Sequence, residues 1–194
     1  MKKTHFRLLL IVFAISITSC ASFSSRITQD QIIHLTEENI QNIEGTYEIE
    51  SYDSYFKAGK EIVEYKKTIQ DTTIHNFTST QDIDSTLLKK LVVDIKLLSN
   101  TKIKFTYRHQ NTTIEETVLG MKLRKNGMIH LKNKKSHITG IPLLFGNLEI
   151  DKSRIGISKN NDLVIHNINH STGGALIIFS SFDNHNTTYY FKRI

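Results

Sequence analysis

Apolar and polar residues alternate along most of this chain, and the alternation starts abruptly at Gly45. Tyr47, Ile49 and Ser51 are set against Glu48 and Glu50, and Val63, Tyr65, Lys67 and Ile69 against Ile62, Glu64 and Lys66. A period of two belongs to strands with distinct faces. The signal is clearest where Ile103, Phe105 and Tyr107 face one way and Lys102, Lys104, Thr106 and Arg108 the other. Val93, Ile95 and Leu97 form the preceding strand, joined through Ser99-Asn100, and a longer strand over 113–124 puts Leu119, Met121 and Leu123 on one face. Asn126-Gly127 predicts a hairpin turn into 128–132, because both residues tolerate positive φ. Asn160-Asn161-Asp162 predicts another between 154–158 and 163–168. Two strands, 175–182 and 187–193, with a turn at Asp183-Asn184-His185-Asn186, close the chain.

Helical spacing is confined to short pieces. Thr36-Glu37-Glu38-Asn39 offers an N-cap, Ile40 and Ile43 share one face, and Gly45 ends the pattern. Asp84 predicts a cap for a turn or two over 84–91. The result is about nine to eleven short strands joined as neighbours. Such a sheet leaves edges exposed unless it closes. The predicted fold is therefore all-β: a single antiparallel meander closing into a barrel, with a short N-terminal helix. Ala175, Ile177 and Phe179 against Leu176, Ile178 and Phe182 make the penultimate strand apolar on both faces, and the Ile40 and Ile43 helix is its expected cover.

The helix leading into Gly45-Thr46-Tyr47 and the final Tyr189-Tyr190-Phe191-Lys192-Arg193 resemble the lipocalin-like domains carried by bacterial lipoproteins. The resemblance implies a lipocalin-like barrel in which an arginine of the last strand packs across the aromatic that opens the first. That aromatic is usually Trp, and this chain has no Trp.

One apolar run breaks the alternation. Leu8 to Ile17, interrupted only by Ser16, follows Lys2, Lys3 and Arg7 and precedes Thr18-Ser19-Cys20. It is about half the roughly 20 residues needed to cross a bilayer, so it reads as the core of a secretory signal. Cys20, the only cysteine, completes a segment that resembles a bacterial lipobox. That resemblance implies cleavage before Cys20, a diacylglyceryl group on its thiol and a third acyl chain on its amine. It also implies a lipid-anchored protein of the cell envelope. Without Asp after Cys20, the outer membrane of a Gram-negative bacterium is favoured. The chain then divides into a signal peptide (1–19), a lipidated tether (20–34) bearing Ser22, Ser24 and Ser25, and one domain (35–194).

Cleavage changes the charge picture. Losing Lys2, Lys3 and Arg7 takes the formal charge from +6 to +3, since 6 minus 3 is 3, and a nucleic-acid partner loses its electrostatic footing. Lys122, Arg124, Lys125, Lys132, Lys134 and Lys135 flank the Asn126-Gly127 turn and should face water, with anionic lipid or polysaccharide as the alternative reading. With Cys20 acylated, packing alone must hold the fold.

Candidate chemistry is sparse. His166 and His170 are the tightest histidine pair, but on a strand they stand roughly 13 Å apart, too far to share a metal. Glu115 and Glu116 are adjacent on a strand and point to opposite faces, so they cannot flank one glycosidic bond. No Gly-x-Ser-x-Gly elbow occurs, and the isolated Gly173-Gly174 suits a turn or bulge better than a phosphate cradle. No catalytic residue, metal or cofactor is expected. Asp71-Thr72-Thr73 and Asp84-Ser85-Thr86 resemble short O-glycosylation acceptors of exported proteins, and equally suit ordinary cap chemistry. Thr139 to Asn147, bracketed by Gly140 and Gly146 and containing Pro142, reads as an apolar loop forming a plug or the lip of a cavity. The leading expectation is a noncatalytic lipoprotein binding a small apolar ligand or an envelope protein through mouth residues Tyr47, Phe105, Tyr107, Leu143 and Phe145. The alternatives are a structural or assembly lipoprotein with a filled barrel and, third, a hydrolase acting on envelope polymers.

Overall fold

The computed structural model describes residues 23, 31–58, 61–64, 72–79, 81–133, 135–141, 145–175 and 179–194. Among them the strands are β1 (Ile32–Ile33), β2 (Gly45–Ala58), β3 (Glu61–Glu64), β4 (Val92–Ser99), β5 (Lys102–His109) and β6 (Thr112–Leu123). They continue with β7 (Ile129–Leu131), β8 (Lys135–Ile141), β9 (Phe145–Ser158), β10 (Leu163–Ala175) and β11 (Phe179–Arg193). Every pairing is antiparallel. Eight strands form a hydrogen-bonded ring in the order β9-β10-β11-β2-β4-β5-β6-β7, closed where Ile129 and His130 pair with Ile155 and Arg154. β3 adds to β2, while β1 and β8 add to β9. No described helix is long and apolar enough to cross a membrane.

The inward positions largely follow the alternation. Tyr47, Ile49, Val93, Ile95, Ile103, Phe105, Tyr107, Met121, Ile129, Ile155, Ile165 and Phe191 belong to one buried cluster. A ring of about eight strands is wide enough for side chains to fill or for one small ligand to enter. Both ends are stoppered. At one end the 3-10 turn Ile40–Ile43 packs against β4 and β9, which stand on opposite sides of the ring, with Ile40 and Ile43 buried. At the other, the helix Ile74–Thr78 reaches His75 to Glu115 of β6, Thr78 to Tyr107 of β5 and Phe77 to Tyr189 of β11.

Arg193 fastens the first of these ends. Its guanidinium lies 5.5 Å from the Tyr47 ring centroid, donates to the Asn42 carbonyl at 3.0 Å and also to that of Glu44. Gly45 lets it approach, because a Cβ there would lie 2.6 Å from Nη2. The Tyr47 hydroxyl donates to the Ile43 carbonyl at 2.9 Å.

The structure corrects three expectations. The strand over 175–182 and the turn at 183–186 do not form. β10 ends at Ala175, which pairs with Phe179, and Asp183, Asn184, His185 and Asn186 lie inside β11, opposite Ser171, His170, Asn169 and Ile168. Pairing along the whole hairpin outweighs their local turn preference. The Ile40 and Ile43 segment is a single 3-10 turn in the ring's end and not a helix covering an outer strand. In the 139–147 segment, Thr139, Gly140 and Ile141 pair with Asn147, Gly146 and Phe145, so these six residues lie in β8 and β9 and not in a loop, and 142–144 lie outside the described residues. The helix Ile74–Thr78 is an addition that the sequence pattern did not point to. The expected strand through Tyr65, Lys67 and Ile69 is described only as far as Glu64, and Asp71, Pro142 and Leu176 to Ile178 lie outside the described residues.

Other expectations hold. Gly127 at φ 73 and Asn161 at φ 66 carry the two foreseen turns. Asp84 caps the helix Ser85–Leu88, accepting from Thr86 N at 2.8 Å and Leu87 N at 3.3 Å. Lys122, Arg124, Lys125 and Lys132 are exposed.

Candidate functional site

Tyr47, Phe105 and Tyr107 are wholly buried and fill the ring interior. Phe145 opens β9, and Leu143 and Cys20 lie outside the described residues. The structure thus brings together three of the five expected mouth residues, but as packing.

Among the described residues, two polar clusters are largely withdrawn from solvent. Beside Tyr107, Glu115 accepts from Ser79 Oγ at 2.5 Å, Thr117 Oγ1 at 2.8 Å and His75 Nε2 at 2.8 Å. Burial opposes its ionisation, but these donors outweigh burial and hold its carboxyl below the usual range. Glu116 points outward to Lys104 at 2.7 Å, so the adjacent carboxylates do face apart. The Ser79 hydroxyl donates to the Glu115 carboxylate, and the Ser79 amide donates to the His75 carbonyl at 3.0 Å.

The second cluster is a cross-strand row, His130, Arg154 and His166 of β7, β9 and β10, on the outer face of the sheet. Arg154 Nη2 lies 2.7 Å from His166 Nδ1, and Phe23 covers the guanidinium at 4.5 Å and meets both imidazoles edge-on at 4.9 and 5.3 Å. A ring nitrogen that accepts from a guanidinium requires a neutral imidazole. Burial, reinforced by the Arg154 charge, accordingly pushes His166 down to about 3 and His130 to about 4. His166 and His170 sit on a strand, as foreseen, and the described residues contain no group of His, Cys, Asp or Glu able to hold a metal.

An accessible site lies on the outside of β2 and β11. Tyr190 pairs with Asp53 while Phe191 pairs with Ser51, which leaves Tyr52 as the extra residue of a bulge. The bulge reverses the alternation of β2. Ser54 takes the inward place beside Tyr189, and Asp53 and Tyr55 turn outward with Tyr190. Tyr52, 51% exposed, has its hydroxyl fixed to Asp162 Oδ2 at 2.8 Å. Asp162 is itself buried and accepts from Arg193 N at 3.1 Å. The Tyr190 hydroxyl donates to Gln31 Oε1. Ring centroids are 5.7 Å apart for Tyr55 and Tyr190 and 6.4 Å for Tyr52 and Tyr190. Together with Gln31, Ser158, Lys159 and Asn160 these residues line an open cleft of about 380 Å³.

Sequence reasoning missed this cleft because nothing local announces a bulge at Tyr52. The dense Tyr52-Asp53-Ser54-Tyr55 run was the available signal. A second cleft, about 290 Å³, lies beside the 3-10 turn and is lined by Glu37, Ile40, Glu44, Leu97, Leu98 and Met121 among others. The chain matches no family model, no curated protein and no solved structure.

Proposed function

We propose that this chain is a noncatalytic, lipid-anchored envelope lipoprotein whose ring is a lipocalin-like barrel filled by its own side chains, and which binds its ligand or partner from outside, in the tyrosine cleft. The packed interior carries this reading: Tyr47, Phe105, Tyr107, Phe191, Ile103, Met121 and Ile155 are all essentially inaccessible. These side chains occupy the space that an internal ligand would need. The lipocalin likeness is supported by Arg193 over Tyr47, the contact that the resemblance implied. The noncatalytic reading is supported by the burial of His75 and Glu115, which keeps them from a substrate.

The address rests on the sequence around Cys20, with the outer membrane of a Gram-negative bacterium as the proposed location. Metabolic labelling with an alkyne fatty acid should tag the wild-type chain and not Cys20→Ser, which should leave the membrane fraction; equal labelling of both would sink the anchor. Native mass spectrometry of the full-length protein from its own envelope tests the filled interior. A stoichiometric apolar molecule retained in Tyr52→Ala would instead favour a carrier, whose entry point would be the cleft lined by Leu97, Leu98 and Met121.

A further inference from the structure

We infer that the tyrosine cleft is a saccharide site, an inference that rests on the reading of this cleft as the binding surface. Its walls and its rim demand two different properties of one ligand. The walls are aromatic faces, and the half-exposed Tyr52 ring is pinned by the bond from its hydroxyl to buried Asp162. A pinned ring offers stacking area at little entropic cost.

The rim is polar and of both signs, with Asp53, Lys159, Asn160 and Gln31 around the rings. An aliphatic ligand would strip water from these groups and return no hydrogen bonds. A simple ion meets opposite charges in Asp53 and Lys159. A quaternary ammonium needs room between rings, and here Tyr55 meets Tyr190 edge-on at 5.7 Å, so the rings form a platform and not a cage. A pyranose satisfies both demands. Its C–H face lies on an aromatic ring while its equatorial hydroxyls both donate and accept along a mixed rim.

Size agrees, since about 380 Å³ falls within the roughly 300–1,000 Å³ of small-molecule sites. Burial pushes the Tyr190 phenol up to about 12, so its proton stays on the bond to Gln31 and that wall does not change with pH in the ordinary range.

The chain has seven tyrosines and no tryptophan, so tyrosine fluorescence reports on the cleft without energy transfer to an indole. Full-length protein in detergent is titrated with maltotriose, cellotriose and chitotriose, and sedimented with insoluble cellulose and chitin. Saturable binding of a trisaccharide supports a short sugar, and sedimentation without trisaccharide binding supports a glycan chain. In either case Tyr52→Ala should bind about tenfold more weakly, the loss of one stacking contact. Asp53→Asn should shift the preference among the sugars with the circular dichroism spectrum unchanged. Silence with every sugar, or binding that Tyr52→Ala leaves intact, overturns the inference. A photoreactive residue at position 159 in intact cells separates the two failures. Silent sugars with a cross-linked envelope protein overturn the saccharide alone, and silence in both overturns the external-binding reading as well.

Discussion

Arg193 joins parts of the chain that are far apart in sequence: the carbonyls of Asn42 and Glu44, the Tyr47 ring and the flank of Gly45. Arg193→Ala strands those carbonyls and uncovers the ring, and should lower stability by about 2 kcal/mol in urea unfolding. Gly45→Ala should also destabilise, by collision with the guanidinium. The double variant should lose less than the sum of the two, because the collision disappears with the arginine. Two histidines set the acid response. His130 and His166 stay neutral in the folded protein down to about 4 and about 3, through burial first and the Arg154 charge second, whereas the unfolded chain takes up these protons near 6.5. Folded values below unfolded ones mean that this stability is complete above 6.5 and is lost as pH falls. Glu115, held below its ordinary 4.5, adds a further loss beneath that. Urea midpoints should therefore fall steadily from pH 6.5 towards 4, and the slope should flatten in His130→Asn/His166→Asn.

At the scale of elements, what was legible had a local cause. Positive φ at Gly127 and Asn161 and the cap at Asp84 are dictated by one or two residues, and a period of two runs from Val93 to Leu97, from Ile103 to Tyr107 and from Glu115 to Leu123. What was not legible depends on partners distant in the chain. Asp183 to Asn186 would turn in isolation and are extended because β10 pairs with them. The helix Ile74–Thr78 exists between ring strands that give His75, Phe77 and Thr78 their contacts. The phase of β2 changes at a bulge defined by β11, and for that reason Tyr52 and Tyr55 were not recognised as a site. Closure is the weakest of these long-range dependencies, since β7 meets β9 through only two register pairs. Ile129→Ala at this seam should cost about 3 kcal/mol in urea unfolding. Amide exchange should accelerate first in β7 and β9 in that variant, and uniform acceleration around the ring would contradict a localised seam.

At the scale of the molecule, the described inward side chains pack together, while the tyrosine cleft lies on the outer face, among residues that alternation assigns to solvent. Of the predicted mouth residues, Tyr47, Phe105 and Tyr107 lie in the core, and the aromatic last strand supplies Tyr190 to the cleft and Arg193 to the ring end. Phe23 carries a consequence for the whole body. It is seated on Arg154 only three residues after Cys20, and three extended residues span at most about 11 Å. An acylated Cys20 would then act as a mooring and not a leash. The body would ride against the lipid headgroups in a fixed orientation and could reach only what passes within the first molecular layer above them. About ten Gly/Ser residues inserted between Cys20 and Phe23 should leave unfolding unchanged while releasing that orientation, read as a rise in the rotational mobility of a spin label on the anchored protein.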